Sequence, residues 1–382
     1  MVTRRIYCDY AASTPIASQV ALAISEFQST HGPGNASSLH QDGRAIREAL
    51  DVAHDQVAGL LSCDFKDVLF TSGGTESDNL AVIGSLLSRR ENGRNRIVIG
   101  ASEHHAVIDA AIFARQFLGA DVQMVRVDEY ARIDLAHLAS LVDDRTAVVS
   151  VQHANNEIGS VQPVRDVASI AHACGAWFHC DAVQTPITVP FTLADLGADL
   201  VTLSSHKIYG PGGIGALYSR VPIQPVHVGG AQERGLRAGS ENVLGAVGFG
   251  AAAALKTIRL QSGCDAIQTV TALVEKLRVQ LETHPNITIN TPRDSAISTM
   301  LHLSINGSST EDTLMLLDRK GISASGGAAC ASGAVEPSHV VKACGWSAER
   351  QSGALRLSFG LGTTADDIAY VAEAVGAIAA KG

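Results

Sequence analysis

The sequence predicts an α/β fold: a mixed, mostly parallel sheet with helices on both faces, followed by a smaller α+β domain. Two observations support this prediction. Short apolar runs alternate with helical patterns between residues 68 and 218, which is the β-α-β rhythm of a parallel sheet. The composition becomes more polar near residues 256–265, and a second set of strand and helix patterns follows. A chain of 382 residues is also long enough for two domains.

The first elements are a long amphipathic helix and a strand that leads into a second helix. From Ser38 to Leu61 apolar residues recur every three or four positions, which predicts a helix with one buried stripe. A strand at 68–70 precedes two glycines and a run of hydroxyls, residues 71–77. A helix that starts there offers free N–H groups and its positive dipole end, so this junction is a candidate phosphate site. The alternative is an ordinary helix cap by Thr75 or Ser77.

The rest of the large domain is expected to place polar residues at one edge of its sheet. We predict strands at 97–99, 122–125, 147–151, 177–179, 198–202 and 214–218, and helices at 105–117, 135–141, 164–174 and 241–258. Polar clusters follow four of these strands, at residues 102–104, 152–157, 180–184 and 204–207. Because ligands bind at the carboxyl ends of parallel strands, the four clusters predict one site.

Lys207 lies in a loop between two predicted strands and is the strongest candidate for a reactive residue. Ser204 and His206 flank it and are candidates to donate hydrogen bonds to an anion. Four glycines follow within residues 210–215. The alternative is a structural loop lysine. Residues 210–215 also match the dinucleotide fingerprint, but that motif requires a helix directly after it, and residues 214–218 have the pattern of a strand.

The second domain carries a loop of small residues around Cys330. Strands are predicted at 287–289, 300–305 and 354–359, and helices through 273–281, at 311–318 and from residue 364. In the loop at 324–337 nearly every residue is small, so nothing nearby can bury the thiol of Cys330. This favours a nucleophile over a structural cysteine, although no neighbouring basic side chain explains how a thiolate would form.

The composition excludes several classes of protein. The formal net charge is -9 and no basic block exceeds two residues, which argues against nucleic-acid binding. No apolar run follows the N-terminus, so we expect neither a signal peptide nor a membrane span. Seven scattered cysteines without a CxxC pair indicate reduced thiols in a cytoplasmic enzyme. The histidines and cysteines at 172, 174, 179 and 180 lack the spacing of a zinc site and are interpreted as packing residues.

A lysine, an aspartate that ends a strand, a histidine, a phosphate cradle and a loop cysteine together fit pyridoxal phosphate. In such sites the lysine forms a Schiff base with the cofactor, the aspartate keeps the pyridine nitrogen protonated, and a histidine stacks on the ring. The residues Lys207, Asp181 and Cys330 match three of these parts.

Four segments resemble those of cysteine desulfurases, which are aminotransferase class V relatives: Asn155–Gly159, Ser205–Pro211, Thr71–Asn79 and Gln232–Gly235. The resemblance extends from Asp9 to Gly360, and the Cys330 segment is similar to the long-loop group of housekeeping and nitrogen-fixation enzymes. It implies the fold type I architecture of pyridoxal phosphate-dependent transferases, with a seven-stranded sheet. It also implies an N-terminal segment (1–14) packed on the small domain, a large cofactor domain (15–258) and a small domain (259–382).

The resemblance assigns roles by position. Lys207 would bind the cofactor covalently, and His104 would stack on it and assist proton transfer. Other cofactor contacts would come from Gly74, Thr75, Asn155, Asp181, Gln184, Ser204 and His206, with Ser240 contributed by the other subunit of a homodimer. Asn155 and Arg356 would bind the substrate carboxylate. The resemblance implies no resident metal. Cys330 would contact an iron–sulfur centre only during sulfur transfer.

The implied reaction converts L-cysteine to L-alanine and leaves the sulfur as a persulfide on Cys330. A protein acceptor would then carry the sulfur to iron–sulfur assembly, tRNA thiolation or DNA phosphorothioation. Selenocysteine lyase and cysteine sulfinate desulfinase are alternatives within the same enzyme class. An alternative from another class is a non-catalytic dimeric partner or activator subunit.

Overall fold

The described residues form three sheets, of seven, three and two strands, and helices pack against the two larger ones. The structure is a computed structural model that describes residues 5–262, 266–327 and 337–381. The strands are β1 (Ile6–Tyr7), β2 (Val68–Thr71), β3 (Arg96–Gly100), β4 (Asp121–Val125), β5 (Thr146–Ser150), β6 (Trp177–Asp181), β7 (Leu200–Ser204), β8 (Gly215–Ser219), β9 (Ile287–Ile289), β10 (Met300–Ile305), β11 (Ile322–Ser323) and β12 (Ala354–Ser358). The helices are α1 (Ser18–Thr30), α2 (Gln41–Leu61), α3 (Gly74–Arg89), α4 (His105–Leu118), α5 (Leu135–Leu141), α6 (Val164–Ala173), α7 (Leu193–Leu196), α8 (Val243–Ser262), α9 (Ala266–Glu282), α10 (Thr310–Arg319), α11 (His339–Ala343), α12 (Ala348–Ser352) and α13 (Ala365–Ala379).

The large sheet has the order β2-β8-β7-β6-β5-β3-β4. Strands β3 to β7 are parallel, whereas β8 runs antiparallel to both β2 and β7. This confirms the predicted mixed, mostly parallel seven-stranded sheet. The strand that begins at Gly215 also confirms that the preceding glycines do not form a dinucleotide motif, because a strand and not a helix follows them.

Both faces of the large sheet are buried beneath helices. On one face the stripe of α2 formed by Ile46, Leu50 and Val57 packs with sheet residues such as Val98 and Phe178. On the other face α3 and α4 pack against β3 and β5 in a separate apolar cluster. Burial on both sides explains why the central strands are continuous apolar runs, since neither face contacts water.

The small sheet is antiparallel, with the order β12-β10-β9, and packs against α9 and α13. The N-terminal strand β1 pairs in parallel with β11, so the first described residues join this part of the molecule. The packing of residues 1–14 on the small domain and the domain boundaries stay predictions. Within the described ranges, no helix is long and apolar enough to cross a membrane.

Candidate active site

A cavity of about 590 Å³ lies at the carboxyl ends of the parallel strands, beside the first turn of α3. Its volume is in the range of small-molecule sites. The four polar clusters predicted from the sequence all contribute to it. The predicted site residues that line it are Gly74, Thr75, His104, Asp181, Gln184, Ser204, His206, Lys207 and Arg356.

Lys207 reaches the cavity from a single 3-10 turn, Ser205–Lys207, that directly follows β7. Its Nζ donates hydrogen bonds to the carbonyl oxygens of Ala11 and Ala12, the latter at 2.9 Å. Gln184 Nε2 also donates to the carbonyl of Ala11, at 2.9 Å. The N-terminal segment therefore fixes the positions of both side chains in the cavity.

Asp181 is the last residue of β6 and lies deep in the cavity. Its Oδ1 accepts a hydrogen bond from the N–H of Val183 at 2.9 Å. Burial raises the pKa of Asp181, while the charges of His104 and Lys207 act in the opposite direction. His104 caps α4, where its Nδ1 accepts from the N–H of Ala106 at 3.1 Å. Burial lowers the pKa of His104 below 6.5, so its imidazole is neutral at pH 7.

The first turn of α3 lies against β8 and β6 because small residues allow close approach. A Cβ at Gly215 would lie 2.5 Å from the carbonyl carbon of Gly73, and one at Gly74 would lie 3.1 Å from Val183 Cγ2. Thr75, Ser204 and His206 surround this helix end. Burial and the charge of Lys207 lower the pKa of His206 to about 4, so this ring is also neutral.

A second carboxyl, Asp78, lies beside Asp181 at the cavity wall. Asp78 is 1% exposed, and its Oδ1 has no hydrogen-bond partner and lies 3.6 Å from His179 Nε2. Burial, followed by the charge of Asp181, raises the pKa of Asp78 well above its usual range. Because two neighbouring buried carboxylates repel each other, the raised pKa values of Asp78 and Asp181 favour a shared proton over two full charges.

Arg356 extends from β12 and places a buried guanidinium at the cavity. It is 1% exposed, and Nη1 donates to the carbonyl of Asn156 at 2.7 Å while Nη2 donates to Asp9 Oδ1 at 2.7 Å. Its Nε has no hydrogen-bond partner within the part of the chain that the structure describes. A guanidinium in this position is suited to bind a carboxylate.

Two of the predicted site residues that the structure describes, Asn155 and Ser240, do not line the cavity. The amide of Asn155 is fully buried and is used by its own loop, since Oδ1 accepts from Glu157 N and Ile158 N at 2.9 and 2.8 Å and Nδ2 donates to the Ser102 carbonyl. Its neighbour Asn156 lines the cavity instead. Ser240 is exposed. Cys330 lies outside the described residues.

Several residues that line the cavity were not predicted from the sequence. Gln152 and Glu157 belong to the polar cluster at residues 152–157, which was predicted to contribute to the site, but neither side chain was given a role. His105, next to a predicted site residue, also contributes. No sequence pattern marks His339, which reaches the cavity from α11 and whose Nε2–H donates to the carbonyl of Glu103 at 2.8 Å.

Comparisons with known proteins agree with this geometry. Residues 6–371 match the family described as aminotransferase class-V. The chain is 35% identical over 381 residues to cysteine desulfurase IscS of Dictyoglomus turgidum, covering 99% of this chain and 95% of that protein. Among solved structures, a NifS-like protein superposes with a TM-score of 0.90 at 31% identity, covering 98% and 99% of the two chains. A structure titled "SspA in complex with cysteine" has a TM-score of 0.80 at 28% identity, covering 93% and 99%.

A mixed α/β sheet with a lysine and an aspartate at adjacent strand ends defines the class of protein, and the chain belongs to the aminotransferase class V family. Its similarity to the relatives places it more narrowly, among the cysteine desulfurases. This confirms the family that the sequence motifs predicted.

Proposed function

We propose that this enzyme uses pyridoxal phosphate to convert L-cysteine to L-alanine and holds the released sulfur as a persulfide on Cys330. The proposal is supported above all by one observation: Lys207, Asp181 and His104, from three different polar clusters, line one cavity beside the N-terminus of a 16-residue helix. The substrate transfers one sulfur to the thiol, so L-cysteine and Cys330–SH become L-alanine and Cys330–S–SH. No external oxidant or reductant is needed.

The residues present fit the cofactor. Lys207 would hold it covalently, Asp181 would face its ring nitrogen, and His104 would lie on its ring. The first turn of α3 with Thr75, Ser204 and His206 would bind its phosphate, because neutral side chains and free N–H groups favour an anion there. When bound, pyridoxal phosphate supplies an electron sink.

The chain's own residues would bind and orient the substrate. Arg356 offers a buried guanidinium for the substrate carboxylate. Asn156 lines the cavity, so it, and not Asn155, is the amide that we place beside the cofactor and substrate. His104 would lie beside the incoming amino acid and assist proton transfer.

We further propose a homodimer in the cytoplasm. The exposed position of Ser240 agrees with a hydroxyl that is contributed to the partner's site. A protein sulfur acceptor would remove the persulfide from Cys330, after which the thiol can accept sulfur again. Iron–sulfur assembly, tRNA thiolation and DNA phosphorothioation remain the candidate pathways.

Spectroscopy and two variants test the proposal. The purified protein should show a visible absorbance band that borohydride removes, and Lys207→Ala should lack it. Cys330→Ala should keep the band but form alanine from L-cysteine at least about 100-fold more slowly, because the sulfur has no acceptor. Cys63→Ala, which changes a half-buried cysteine outside the cavity, is the matched control. Alanine production by Cys330→Ala at the parental rate would contradict the persulfide step, and absence of the band would contradict the cofactor.

A further inference from the structure

Glu157 is a buried carboxylate at the cavity that the proposed chemistry does not use. It is 3% exposed, and its Oε2 has no hydrogen-bond partner among the described residues. Burial raises its pKa to about 7, although the Ser338 hydroxyl and the charge of Arg356 act to lower it. A buried carboxylate with an unpartnered oxygen costs folding free energy, so its position calls for an explanation.

The carboxylate of Glu157 contacts both sides of the segment that carries Cys330. Its Oε1 accepts a hydrogen bond from Ser338 Oγ at 2.8 Å. Its Oε2 lies so near Gly327 that a Cβ on that glycine would be 2.8 Å away. Gly327 and Ser338 lie immediately before and just after residues 328–336. One side chain therefore contacts both flanks, by a hydrogen bond from Ser338 and by close packing against Gly327.

Each flank is also attached to the cavity wall by a second contact. On the N-terminal side, Ser325 exchanges two backbone hydrogen bonds with Arg356, of 2.7 and 3.3 Å, and its Oγ accepts from the N–H of Gly327 at 3.2 Å. On the C-terminal side, His339 donates to the carbonyl of Glu103. Both flanks therefore begin at fixed points beside the proposed substrate site, and Cys330 is only three residues, at most about 11 Å of extended chain, from Gly327.

We propose that Glu157 is a positioning residue that holds Gly327 and Ser338 in place and thereby sets how efficiently Cys330 takes sulfur from the substrate. This inference rests on the proposed function. It assigns Glu157 no contact with the reacting atoms. Glu157 affects the acceptor thiol and not the binding of L-cysteine. Binding of L-cysteine is the role proposed for Arg356.

Removing the carboxylate tests the inference. We expect Glu157→Ala to keep the visible band, its change on addition of L-cysteine, and KM within about twofold. Its kcat for alanine should fall at least about tenfold, because small displacements of reacting groups are costly. Glu157→Gln should recover most of the rate, since its amide oxygen can still accept from Ser338 Oγ.

A matched pair of serine variants isolates the contact. Ser338 caps α11 and Ser347 caps α12, and both helices have five residues. Ser338→Ala loses a cap and the contact to Glu157, whereas Ser347→Ala loses only a cap. We expect kcat to fall severalfold for Ser338→Ala and to stay within about twofold of the parent for Ser347→Ala.

A measurement without substrate separates this inference from the proposed function. The rate at which iodoacetamide alkylates Cys330, followed by peptide mass spectrometry, should change at least about threefold in Glu157→Ala and remain parental in Glu157→Gln. An unchanged kcat and alkylation rate in Glu157→Ala, in an active parent enzyme, would overturn the inference. So would a rise in KM at constant kcat, which would assign Glu157 to substrate binding. A parent enzyme that makes no alanine would instead overturn the proposed function.

Discussion

At the scale of single residues, burial decides the charge state of the cavity. The carboxyls of Asp78 and Asp181 have raised pKa values, and the imidazoles of His104 and His206 have lowered ones, with burial as the largest cause in each case. All four groups are thus shifted towards their neutral forms. A cavity of this kind can accept an anionic ligand without strong repulsion from ionised carboxylates.

The residues predicted for the site were those whose position follows from chain direction. Asp181 and Ser204 end strands and Lys207 follows one within three residues, so the parallel sheet alone places them at one edge. The choice between Asn155 and Asn156 could not be made in this way. It depends on which of the two side-chain amides forms hydrogen bonds within its own loop, and only the hydrogen bonds of the folded chain show this.

A glycine pair provides a prediction at this scale. A Cβ at Gly215 would meet backbone atoms of Gly73 at 2.5 Å, whereas a Cβ at Gly376 in α13 meets nothing within 4 Å. We expect Gly215→Ala to lower the free energy of unfolding by about 1–3 kcal/mol, because neither backbone can easily move. Gly376→Ala should raise it by about 0.5–1 kcal/mol. Urea unfolding of both variants checks this, and equal effects would disprove the close-approach argument.

At the scale of elements, the sequence predicted the long helices with a clear buried stripe and missed α1 and the short helices α7, α11 and α12. The helix α2 buries eight residues and was expected from its apolar period. The helix α1 packs Val20, Ile24 and Phe27 against the core at intervals of four and three residues, but only Val20 is fully buried and Leu22 is 57% exposed, so its apolar pattern is weaker than that of α2. The two-residue strand β1 was missed because its pairing with β11 is set by distant parts of the chain.

The junction between the N-terminal segment and β12 yields a prediction for an element. Asp9 follows β1 and binds Arg356, with side chains 21% and 2% exposed. Asp9→Ala should lower the free energy of unfolding by about 2 kcal/mol, because it leaves a buried guanidinium without its carboxylate. The control is Asp318→Ala, which removes an ion pair to Arg5 whose side chains are 65% and 57% exposed and should cost less than about 0.5 kcal/mol. Similar losses in the two variants would show that burial does not strengthen the pair.

At the scale of the whole molecule, the two sheets contribute different parts of the proposed site. The large sheet supplies Lys207, Asp181 and His104, and the small sheet supplies Arg356 on β12. The resemblance to known enzymes predicted both contributions, but the apolar patterns predicted only that two sheets exist. How they meet depends on contacts between residues far apart in sequence, such as the pair formed by Arg356 and Asp9, and these have no local signal.

Buried histidines link the stability of the whole molecule to pH. Burial lowers the pKa of His179 and His302 to about 3, and that of His153 to about 4. Between pH 6.5 and these values the unfolded chain binds protons that the native state does not, so each ring makes stability fall as pH falls. Glu157 acts in the opposite sense, because its pKa of about 7 lets the native state keep a proton that the unfolded chain releases between pH 7 and 4.5.

The variant His302→Gln isolates one of these contributions. His302 is fully buried, and its Nδ1 accepts a hydrogen bond from Asn290 Nδ2 at 2.9 Å, which a glutamine oxygen can replace. Its native pKa of about 3 means that protonation of the unfolded chain alone costs the parent about 2 kcal/mol between pH 6.5 and 5. We therefore compare how far the free energy of unfolding, measured in urea, falls between pH 8 and pH 5 in each protein. We expect this fall to be about 2 kcal/mol smaller in the variant than in the parent. Parallel curves for the two proteins would mean that His302 takes up a proton in the native state, and the burial argument for this ring would then be wrong.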